Sequence, residues 1–400
     1  MDISRKIVGV EEAESMISTC KFFPKIEDVD WHNSLNRITA SDWQTDEDIP
    51  SFDRVMMDGI AIQYKEGVTE WEVSAIQKAG EAAHSIGNYQ TAIEIMTGAI
   101  LPLGADTIVP YEHLDWKESH AVLIASDLKK GQNVHLRGRD RKKGDQVLKS
   151  KSKIRYTEIG LAASLGKLSI PVFKRPRITI ISTGDELVDP KEQPASHQIR
   201  MSNVFVLQSM LQTMGMEARL VHAVDQQEIL REIIKEGLAT SDVLMLTGGV
   251  SKGKFDLVPD VLNENGVEQL FHGINQRPGK PMWFGKKENT IVFGFPGNPV
   301  STLVCARRYF IPWLSSQYGE SITPIKAKSG FDIQAHSSLT LFVQVTCTQN
   351  EDGFFIVERS EGQGSGDFSQ LSVSHGFAEI TPGGNNVVKG DLIHFWPYKL

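Results

Sequence analysis

The chain has 400 residues, of which 40% are hydrophobic and 23% charged, so its length and composition predict a folded protein of several domains. Its formal net charge of −8 argues against a dedicated nucleic-acid binder, and its three cysteines are too few for a disulfide framework and indicate a reducing compartment. No apolar run approaches the roughly 20 residues of a membrane span, and the start of the chain is too acidic for a signal peptide, so we expect a cytoplasmic protein with no membrane or nucleic-acid partner.

The first half of the chain predicts a small β domain flanked by helical segments. Residues 1–45 are expected to be helix-rich, because residues 10–17 combine helical spacing of apolar side chains with an acidic first turn. Residues 46–145 instead alternate short apolar runs with turn residues, as β-strands do. The runs lie at 59–62, 91–96 and 107–110. A helical pattern returns at 157–165, so residues 1–45 and 146–175 would together form a discontinuous linker domain around an inserted β domain.

The second half predicts an α/β domain followed by a second β domain. Between residues 176 and 328, strands and helices alternate and the strands are apolar throughout, as in a doubly wound, mostly parallel sheet covered on both faces. Residues 329–400 return to strand patterns with a turn at 350–353 and predict a β-barrel-like domain. The expected fold class is therefore multidomain α/β plus β, with a helical linker domain. Strand patterns lie at 177–181, 217–221, 242–246, 290–293, 339–345 and 354–357, and helix patterns at 203–214, 227–236 and 300–310.

Three of the strands predicted for the α/β domain end in loops that contain glycine, at 182–186, 247–251 and 296–301. Ligands of open α/β sheets bind at the carboxyl ends of the strands, where glycine lets backbone N–H groups approach an anion. In the third loop, Asn298 and Pro299 are expected at the N-cap and the first position of a helix, whose positive end would stabilise a phosphate.

Charged side chains accompany these loops. Cations next to backbone amides predict a cradle for a phosphate or an oxyanion. The cations are Arg277, Lys280, Lys252 and Lys254. The acid pair Asp185 and Glu186 indicates Mg²⁺ between the carboxylates and a phosphate, because like charges alone would repel.

Each of these features has a simpler alternative. One loop with glycine is commonly just a turn, the acid pair fits solvated acids at a helix cap, and the cations fit ordinary surface charges. The coincidence of three loops and intervening cations at one predicted sheet edge favours a shared anion site. In the β domain, Asp58 before Gly59 equally fits a hairpin turn, and the basic run at 139–143 fits a solvated loop, so the residues alone leave these motifs open.

Taken in order, the motifs resemble those of the molybdopterin molybdenumtransferase family of MoeA-type proteins, which includes the gephyrin E domain. The blocks span nearly the whole chain, at 57–59, 97–98, 137–140, 182–187, 248–251, 277–281 and 295–299. The resemblance implies an elongated dimer whose cleft lies between the α/β domain of one subunit and the β domain of the other. It implies insertion of molybdenum from molybdate into adenylylated molybdopterin, with release of AMP and with Mg²⁺ as a helper. It also implies a molybdopterin adenylyltransferase as a partner.

The resemblance further implies roles for individual residues. The residues that would line the catalytic cleft are Asp58, Thr97, Arg137, Asp140 and Glu186. The residues that would bind the pterin substrate are Thr183, Gly184, Asp185, Gly248, Gly249, Ser251, Arg277, Lys280, Pro296, Gly297, Asn298 and Pro299. Within these sets, Asp185 and Glu186 would hold the metal, and the two cations would bind anionic oxygens. Catalysis would then rest on positioning and electrostatics, without a protein nucleophile.

The chain departs from the family pattern at several positions. Where the family usually has small polar residues before its Met-Asp-Gly motif, this chain has a cation at Arg54 and bulky apolar residues after it. Where the family often has two lysines before Pro-Gly-Lys-Pro, this chain has Gly273 and Arg277, so one oxyanion contact is missing or moved. Lys254 stands where the family commonly has an acid, and we hypothesise that it replaces the lost charge.

Two other functions compete with the enzyme. A non-catalytic binder of pterin or nucleotide would keep the α/β pocket and lose the chemistry at Gly273 and Arg54. A gephyrin-like scaffold would use its C-terminal β domain to hold a partner. The acids expected in the cleft favour the enzyme, because a binder of an anionic ligand has little need of them. The sequence has no long linker rich in proline or serine to support the scaffold.

Overall fold

The computed structural model describes residues 6–124, 127–251, 256–360, 364 and 366–399. The chain divides into two units. The first comprises the residues up to Ala40, Lys153–Tyr156 and the chain from Ser169 on, and the second comprises Ser41–Ser152 and Thr157–Leu168. None of the described helices is long and apolar enough to cross a bilayer. The domain boundaries predicted above stay a prediction.

The chain begins with one helix and one strand. The helix α1 (Val10–Thr19) confirms the predicted helix and buries Val10, Ala13 and Ile17 at helical spacing. The strand β1 (Ile26–Asp30) follows, so this part of the chain is less helical than predicted. Its partner is the distant segment 169–173, to which it pairs antiparallel. Every residue of β1 is exposed or half-buried, so no apolar run in the sequence indicates the strand.

The second unit is built mainly of strands, as the sequence predicts. The strands are β2 (Trp43–Gln44), β3 (Arg54–Val55), β4 (Gly59–Ile62), β5 (Glu70–Gln77), β6 (Thr91–Ile95), β7 (Thr107–Pro110), β8 (Leu114–Lys117), β9 (His120–Leu123), β10 (Val134–His135) and β11 (Gln146–Leu148). Its main sheet has the order β7-β4-β6-β5-β9-β8, and β3 and β2 pair with β10 and β11. The apolar runs predicted as strands become β4, β6 and β7 and supply its core residues Ile60, Ile62, Ala92 and Val109. Helix α2 (Tyr156–Ser164) follows and ends before Gly166, whose φ is +63°.

The α/β segment of the first unit carries the predicted alternation. Its elements are β12 (Ser169–Phe173), β13 (Ile178–Thr183), β14 (Leu187–Val188), β15 (Ile199–Arg200), α3 (Asn203–Thr213), β16 (Ala218–Ala223), α4 (Gln227–Thr240), β17 (Val243–Thr247), α5 (Val258–Glu264), β18 (Glu268–His272), β19 (Gln276–Arg277), β20 (Trp283–Lys287), β21 (Thr290–Phe295), α6 (Pro299–Cys305) and α7 (Ile311–Gln317). The sheet has the order β16-β13-β17-β21-β20-β18. The first four strands are parallel, and every residue of β13, β17 and β21 is buried. This confirms the doubly wound, mostly parallel α/β sheet and places three adjacent carboxyl strand ends at one edge.

The helix predicted at 300–310 is longer and less regular than expected. It runs from α6 through a π-helical turn, Ala306–Phe310, directly into α7. Aromatic side chains of this stretch pack on the sheet, where the rings of Phe310 and Trp313 lie 5.2 Å and 5.3 Å from that of Phe293.

The C-terminal residues form a closed barrel, as predicted. Its elements are β22 (Ile325–Ser329), β23 (Thr340–Gln349), β24 (Phe355–Arg359), α8 (Phe368–Val373), β25 (Gly376–Ile380) and β26 (Leu392–Pro397). The strand order β23-β24-β22-β26-β25 closes because β23 also pairs with β25. The short strand β19 adds in parallel to the start of β23, with Gln276 opposite Thr340 and Arg277 opposite Leu341. The barrel is therefore joined to the segment that carries the predicted cations.

Candidate functional site

The three predicted loops lie side by side at the carboxyl ends of β13, β17 and β21. The backbone N–H of Gly248 donates to the carbonyl of Phe295 at 3.2 Å. The amide of Asn203 joins the second and third loops, donating to Thr247 Oγ1 at 3.0 Å and to the carbonyl of Gly297 at 2.7 Å. The strand order therefore brings together three loops of which the first and third are more than 100 residues apart in the chain.

The second loop depends on two glycines. Gly248 and Gly249 have φ values of +93° and +63°, in the left-handed region that side chains avoid. A Cβ on Gly248 would lie 2.6 Å from the carbonyl oxygen of Thr183, and one on Gly249 would lie 2.8 Å from Thr183 Oγ1. Within the described residues, that hydroxyl is buried and has no hydrogen-bond partner. A buried polar atom of this kind is available to a ligand at the loop.

The loops line a cavity of 1930 Å³ that also borders the C-terminal barrel. This volume is ample for a pterin nucleotide. Of the residues predicted to bind the substrate or line the cleft, the cavity wall contains Thr183, Gly184, Glu186, Gly248, Gly249, Ser251, Arg277, Lys280, Pro296, Gly297 and Asn298. Asp185 and Pro299 adjoin this wall in the sequence but are not part of it.

Two of the predicted cations face this cavity without a carboxylate partner. Arg277 and Lys280 are both exposed and line the cavity, and neither forms an ion pair with any residue that the structure describes. Gly273 is buried, has a φ of +114° and does not line the cavity. Lys252 and Lys254 lie outside the described residues, so the hypothesis about Lys254 stays a prediction. The geometry thus offers these two unneutralised positive charges to an anion, and the exposed guanidinium of Arg359, which also lines the cavity and forms no ion pair within the described residues, adds a third.

Acidic side chains lie at the opposite side of the strand ends. Glu186, Asp225 and Asp256 line the cavity, and Asp185 Oδ1 accepts a hydrogen bond of 3.0 Å from the backbone N–H of Asp225. Burial raises the pKa of Asp225, and the negative charges of the other three acids raise it further. Among the described residues, no group of three or more acidic, histidine or cysteine side chains is placed to hold a metal by itself. Mg²⁺ commonly takes one or two carboxylates and completes its shell with water and phosphate, so Asp185 and Glu186 fit a metal that the substrate shares.

Sequence reasoning missed several residues of this wall. Asp225 follows the carboxyl end of β16, the neighbour of β13, so the strand-end rule applied to that strand would have indicated it. Leu341, Gln344 and Arg359 reach the cavity from the barrel. No local pattern marks them, because only the pairing of β19 with β23 brings them to the site.

In the second unit, Asp58 and Thr97 form a hydrogen-bonded pair. Asp58 Oδ1 accepts from the backbone N–H of Thr97 at 2.6 Å and from its hydroxyl at 2.7 Å. These two bonds, the backbone bond first, lower the pKa of the Asp58 carboxyl although the group is exposed. The carboxylate is therefore held ionised and oriented just before the start of β4.

Arg137 and Asp140 occupy the next loop and have partners of their own. Arg137 donates from its backbone N–H to Asp53 at 2.7 Å and from Nε to Asp48 at 2.9 Å. Asp140 lies 2.8 Å from Nε2 of His135, a residue that the sequence did not indicate. The pairing of β3 with β10 places this loop beside the 53–58 segment, so the predicted β-domain residues share one end of the unit. Within this set, in the part of the chain that the structure describes, hydrogen bonds join only Asp58 and Thr97.

Replacing Thr97 with valine tests this pair. The variant keeps the backbone donor and removes the hydroxyl donor, so the pKa of Asp58 is expected to rise part of the way toward its ordinary value of 3.8. Because the pKa is lowered in the folded protein, the stabilising contribution of Asp58 is present above about pH 4 and is lost as the pH falls through the lowered value. NMR titration of the carboxyl carbon measures the shift. An unchanged titration curve in Thr97→Val would contradict the assignment.

Comparison with family models covers most of the chain. Residues 8–166 match the MoeA N-terminal region (domain I and II), residues 179–316 match a probable molybdopterin binding domain, and residues 326–398 match the MoeA C-terminal region (domain IV). These matches follow the order of the elements described above.

Curated proteins and solved structures agree with the family models. The chain is 34% identical over 377 residues to a molybdopterin molybdenumtransferase of Synechocystis, covering 92% of this chain and 94% of that protein. It is 30% identical over 402 residues to a molybdopterin molybdenumtransferase of Haemophilus influenzae, covering 98% and 99%. A crystal structure of a molybdopterin biosynthesis MoeA protein from Pyrococcus horikoshii superposes with a TM-score of 0.83 at 27% identity, covering 99% of this chain and 100% of that one.

Proposed function

The chain belongs to the molybdopterin molybdenumtransferase (MoeA) family, and from this we propose that it inserts molybdenum from molybdate into adenylylated molybdopterin and releases AMP. The reaction is a late step of molybdenum cofactor biosynthesis. The observation that carries the proposal is the cavity at the strand ends, where Arg277 and Lys280 lie unpaired, among the described residues, beside glycine-rich loops. Both proposed substrates are anions, and cations with backbone N–H groups are the groups that bind anions.

Different residues of the cavity bind different parts of the two anionic substrates. Arg277 and Lys280 bind and orient anionic oxygens, and the loop of Gly248, Gly249 and Ser251 approaches the pterin phosphate closely. The Pro296–Pro299 segment closes the same edge at the start of α6. The loop backbone is held by its own hydrogen bonds, such as that from Gly248 to Phe295, so its N–H groups would stabilise developing charge with little reorganisation.

A magnesium ion is part of the proposal. Asp185 and Glu186 would hold it together with phosphate oxygens of the substrate, which fits a pair of carboxylates that is too small to bind a metal alone. When bound, the ion neutralises charge on the phosphoanhydride from which AMP leaves. The acids would otherwise repel the substrate.

The proposal includes a homodimer in which the second unit of one subunit faces the cavity of the other. Asp58, Thr97, Arg137 and Asp140 would then line the cleft from that unit. A mixed dimer of two singly inactive subunits, one altered at Asp58 and the other at Lys280, should recover part of the activity if the cleft is shared. Both single-variant homodimers serve as controls.

An adenylyltransferase that supplies the adenylylated pterin is the expected partner, and the cytoplasm is the expected location. The sequence has only three cysteines, Cys20, Cys305 and Cys347, which is typical of proteins of a reducing compartment. Direct transfer between the two proteins would protect the pterin from solvent, and a pull-down with the purified adenylyltransferase tests the contact.

The decisive experiment incubates the purified protein with adenylylated molybdopterin, Mg²⁺ and molybdate and follows AMP. Molybdate-dependent release of AMP supports the enzyme. Tight binding without release would instead support the non-catalytic binder, and neither binding nor release would leave only the scaffold.

Within this assay, Asp58→Asn is expected to lower turnover about tenfold while changing substrate affinity little, because a charged hydrogen-bonding group is lost from the cleft. Measuring kcat and KM separately distinguishes the two effects. Asp115→Asn, on strand β8 of the same unit, changes an exposed carboxylate in the same way and serves as the matched control. An equal loss of turnover and affinity in Asp58→Asn would contradict the role given to this residue.

A further inference from the structure

A buried glutamine lies directly beneath the segment that carries the two cavity cations. Gln276 is 1% exposed and immediately precedes Arg277. Its Nε2 donates to the carbonyl of Pro278 at 2.9 Å and lies 3.6 Å from the sulfur of Cys305. The thiol of Cys305 in turn points at the carbonyl of Gly279 at 3.6 Å. The carbonyls of Pro278 and Gly279, which lie between the two cations, are therefore held by hydrogen bonds from buried side chains.

The side chains of Gln276 and Cys305, here called the support, lie close against the backbone of the segment 277–280. Gly279 has a φ of +92°, and a Cβ there would lie 2.5 Å from Gln276 Nε2 and 2.7 Å from the sulfur of Cys305. The absence of a side chain at Gly279 thus lets the support touch the backbone. A shift of the support would be transmitted directly to Lys280, the next residue.

The support itself is fixed by a tyrosine on the neighbouring helix. Tyr309 is 2% exposed, and its hydroxyl donates to Gln276 Oε1. Burial raises the pKa of Tyr309 well above its ordinary value, so the phenol stays protonated and remains a donor at every working pH. Gln276 can satisfy both ends of its amide only while this donor is present.

Tyr309 lies in the π-helical turn that interrupts the long helix. A π-turn inserts one residue into the helix and such turns are frequent at functional sites. The preceding residue of the same turn, Arg308, is anchored by ion pairs to Glu379 at 3.2 Å and Glu14 at 2.8 Å. The ion pairs of Arg308 therefore anchor the turn that carries Tyr309.

We infer that Tyr309, acting through Gln276, is a positioning residue that sets the direction of Arg277 and Lys280 in the cavity. Tyr309 itself is absent from the cavity wall, whereas Gln276 and both cations belong to it. The inference rests on the proposed function in one respect, that the ligand of these cations is an anionic substrate. The hydroxyl of Tyr309 would then influence the binding of the anion without contacting the anion itself.

The test compares Tyr309→Phe with Tyr318→Phe. Both variants remove one buried tyrosine hydroxyl near the same helix, since Tyr318 is 4% exposed and donates to the carbonyl of Lys174 at 3.2 Å. Similar losses of thermal stability are expected. Only Tyr309→Phe is expected to raise the KM for molybdate, by about fivefold, with a smaller change in kcat, because one orienting hydrogen bond is lost. Gln276→Met, which removes both ends of the link at similar length, should raise the KM at least as much.

Binding of molybdate and of AMP, measured by calorimetry on the same variants, provides a readout that needs no turnover. Weaker binding in Tyr309→Phe than in Tyr318→Phe supports the inference even if the wild-type protein releases no AMP, in which case only the proposed reaction fails. Equal KM and equal binding in the two variants, with an active wild type, would overturn the inference alone. A wild-type protein that neither turns over nor binds either anion would overturn both.

Discussion

Gly248→Ala is expected to lower AMP release by about a hundredfold, because a small displacement of a site loop costs this much in rate. The new Cβ would lie 2.6 Å from the backbone oxygen of Thr183, which has no freedom to turn away. The residue would also be forced out of its φ of +93° or strained in it. Either response moves the second loop away from the first and third. Steady-state AMP release and calorimetry with AMP measure the loss of turnover and of binding.

The effect of backbone strain can be separated from the effect of the steric clash by a control glycine that has a positive φ but free space around it. Gly390 has a φ of +99°, and a Cβ there would meet nothing within 4 Å. Gly390→Ala should therefore show the strain of a left-handed alanine, about 1–2 kcal/mol of unfolding free energy, and keep nearly full activity. If Gly248→Ala stays as active as Gly390→Ala, the second loop is not part of the site.

Arg308→Met is expected to lower the free energy of unfolding by about 3–5 kcal/mol, since it leaves a buried carboxylate without its counter-ion. The side chains of Arg308 and Glu379 are only 8% and 7% exposed. Although burial by itself lowers the pKa of Arg308, the charge of Glu379 and the bond to Glu14 raise it overall, so the guanidinium is fully charged. The ring of Trp396 lies 4.7 Å from the same guanidinium, and its N–H donates to Glu379 at 2.6 Å. Urea unfolding followed by tryptophan fluorescence gives the free energy.

Two further variants establish the origin of that loss. Arg219→Met breaks a surface pair with Glu236 whose side chains are 51% and 55% exposed, and it should cost less than about 1 kcal/mol. Adding Glu379→Gln to Arg308→Met removes the stranded charge and keeps an acceptor for Trp396, so it should restore part of the stability. Equal losses in Arg308→Met and Arg219→Met, or no recovery in the double variant, would show that the buried charge is not the cause.

The contacts beneath the segment 277–280 bear on one departure of this chain from the family pattern. Of the two lysines that the family often has before Pro-Gly-Lys-Pro, the first is replaced here by Gly273, which is buried and does not line the cavity. The backbone between Arg277 and Lys280 is bonded to Gln276 and Cys305, and Gln276 is bonded in turn to Tyr309. Fewer charges in a fixed direction can bind an anion as well as more charges on a mobile segment, because less conformational entropy is lost on binding. This view predicts that the support matters more here than in a relative with both lysines.

The sequence by itself determined the α/β class, the barrel and the three strand-end loops. Those features follow from local periodicity: β13, β17 and β21 are apolar along their whole length, and glycine follows each of them at a turn. Arg277 and Lys280 could also be predicted as candidate anion-binding cations, because the run Arg-Pro-Gly-Lys-Pro is a short-range pattern.

Only the tertiary structure decided which other groups meet at the site. The exposed strand β1 shows no apolar run, and its partner lies more than 130 residues away. Gln344 and Tyr309 reach the site or its support through the β19–β23 pairing and a π-turn, neither of which leaves a local pattern. The physical reason is that residues close in the sequence determine whether a segment forms a strand or a helix and which of its faces is apolar. The hydrogen-bond partner of a side chain, in contrast, depends on how distant segments pack together, and the local sequence does not contain that information.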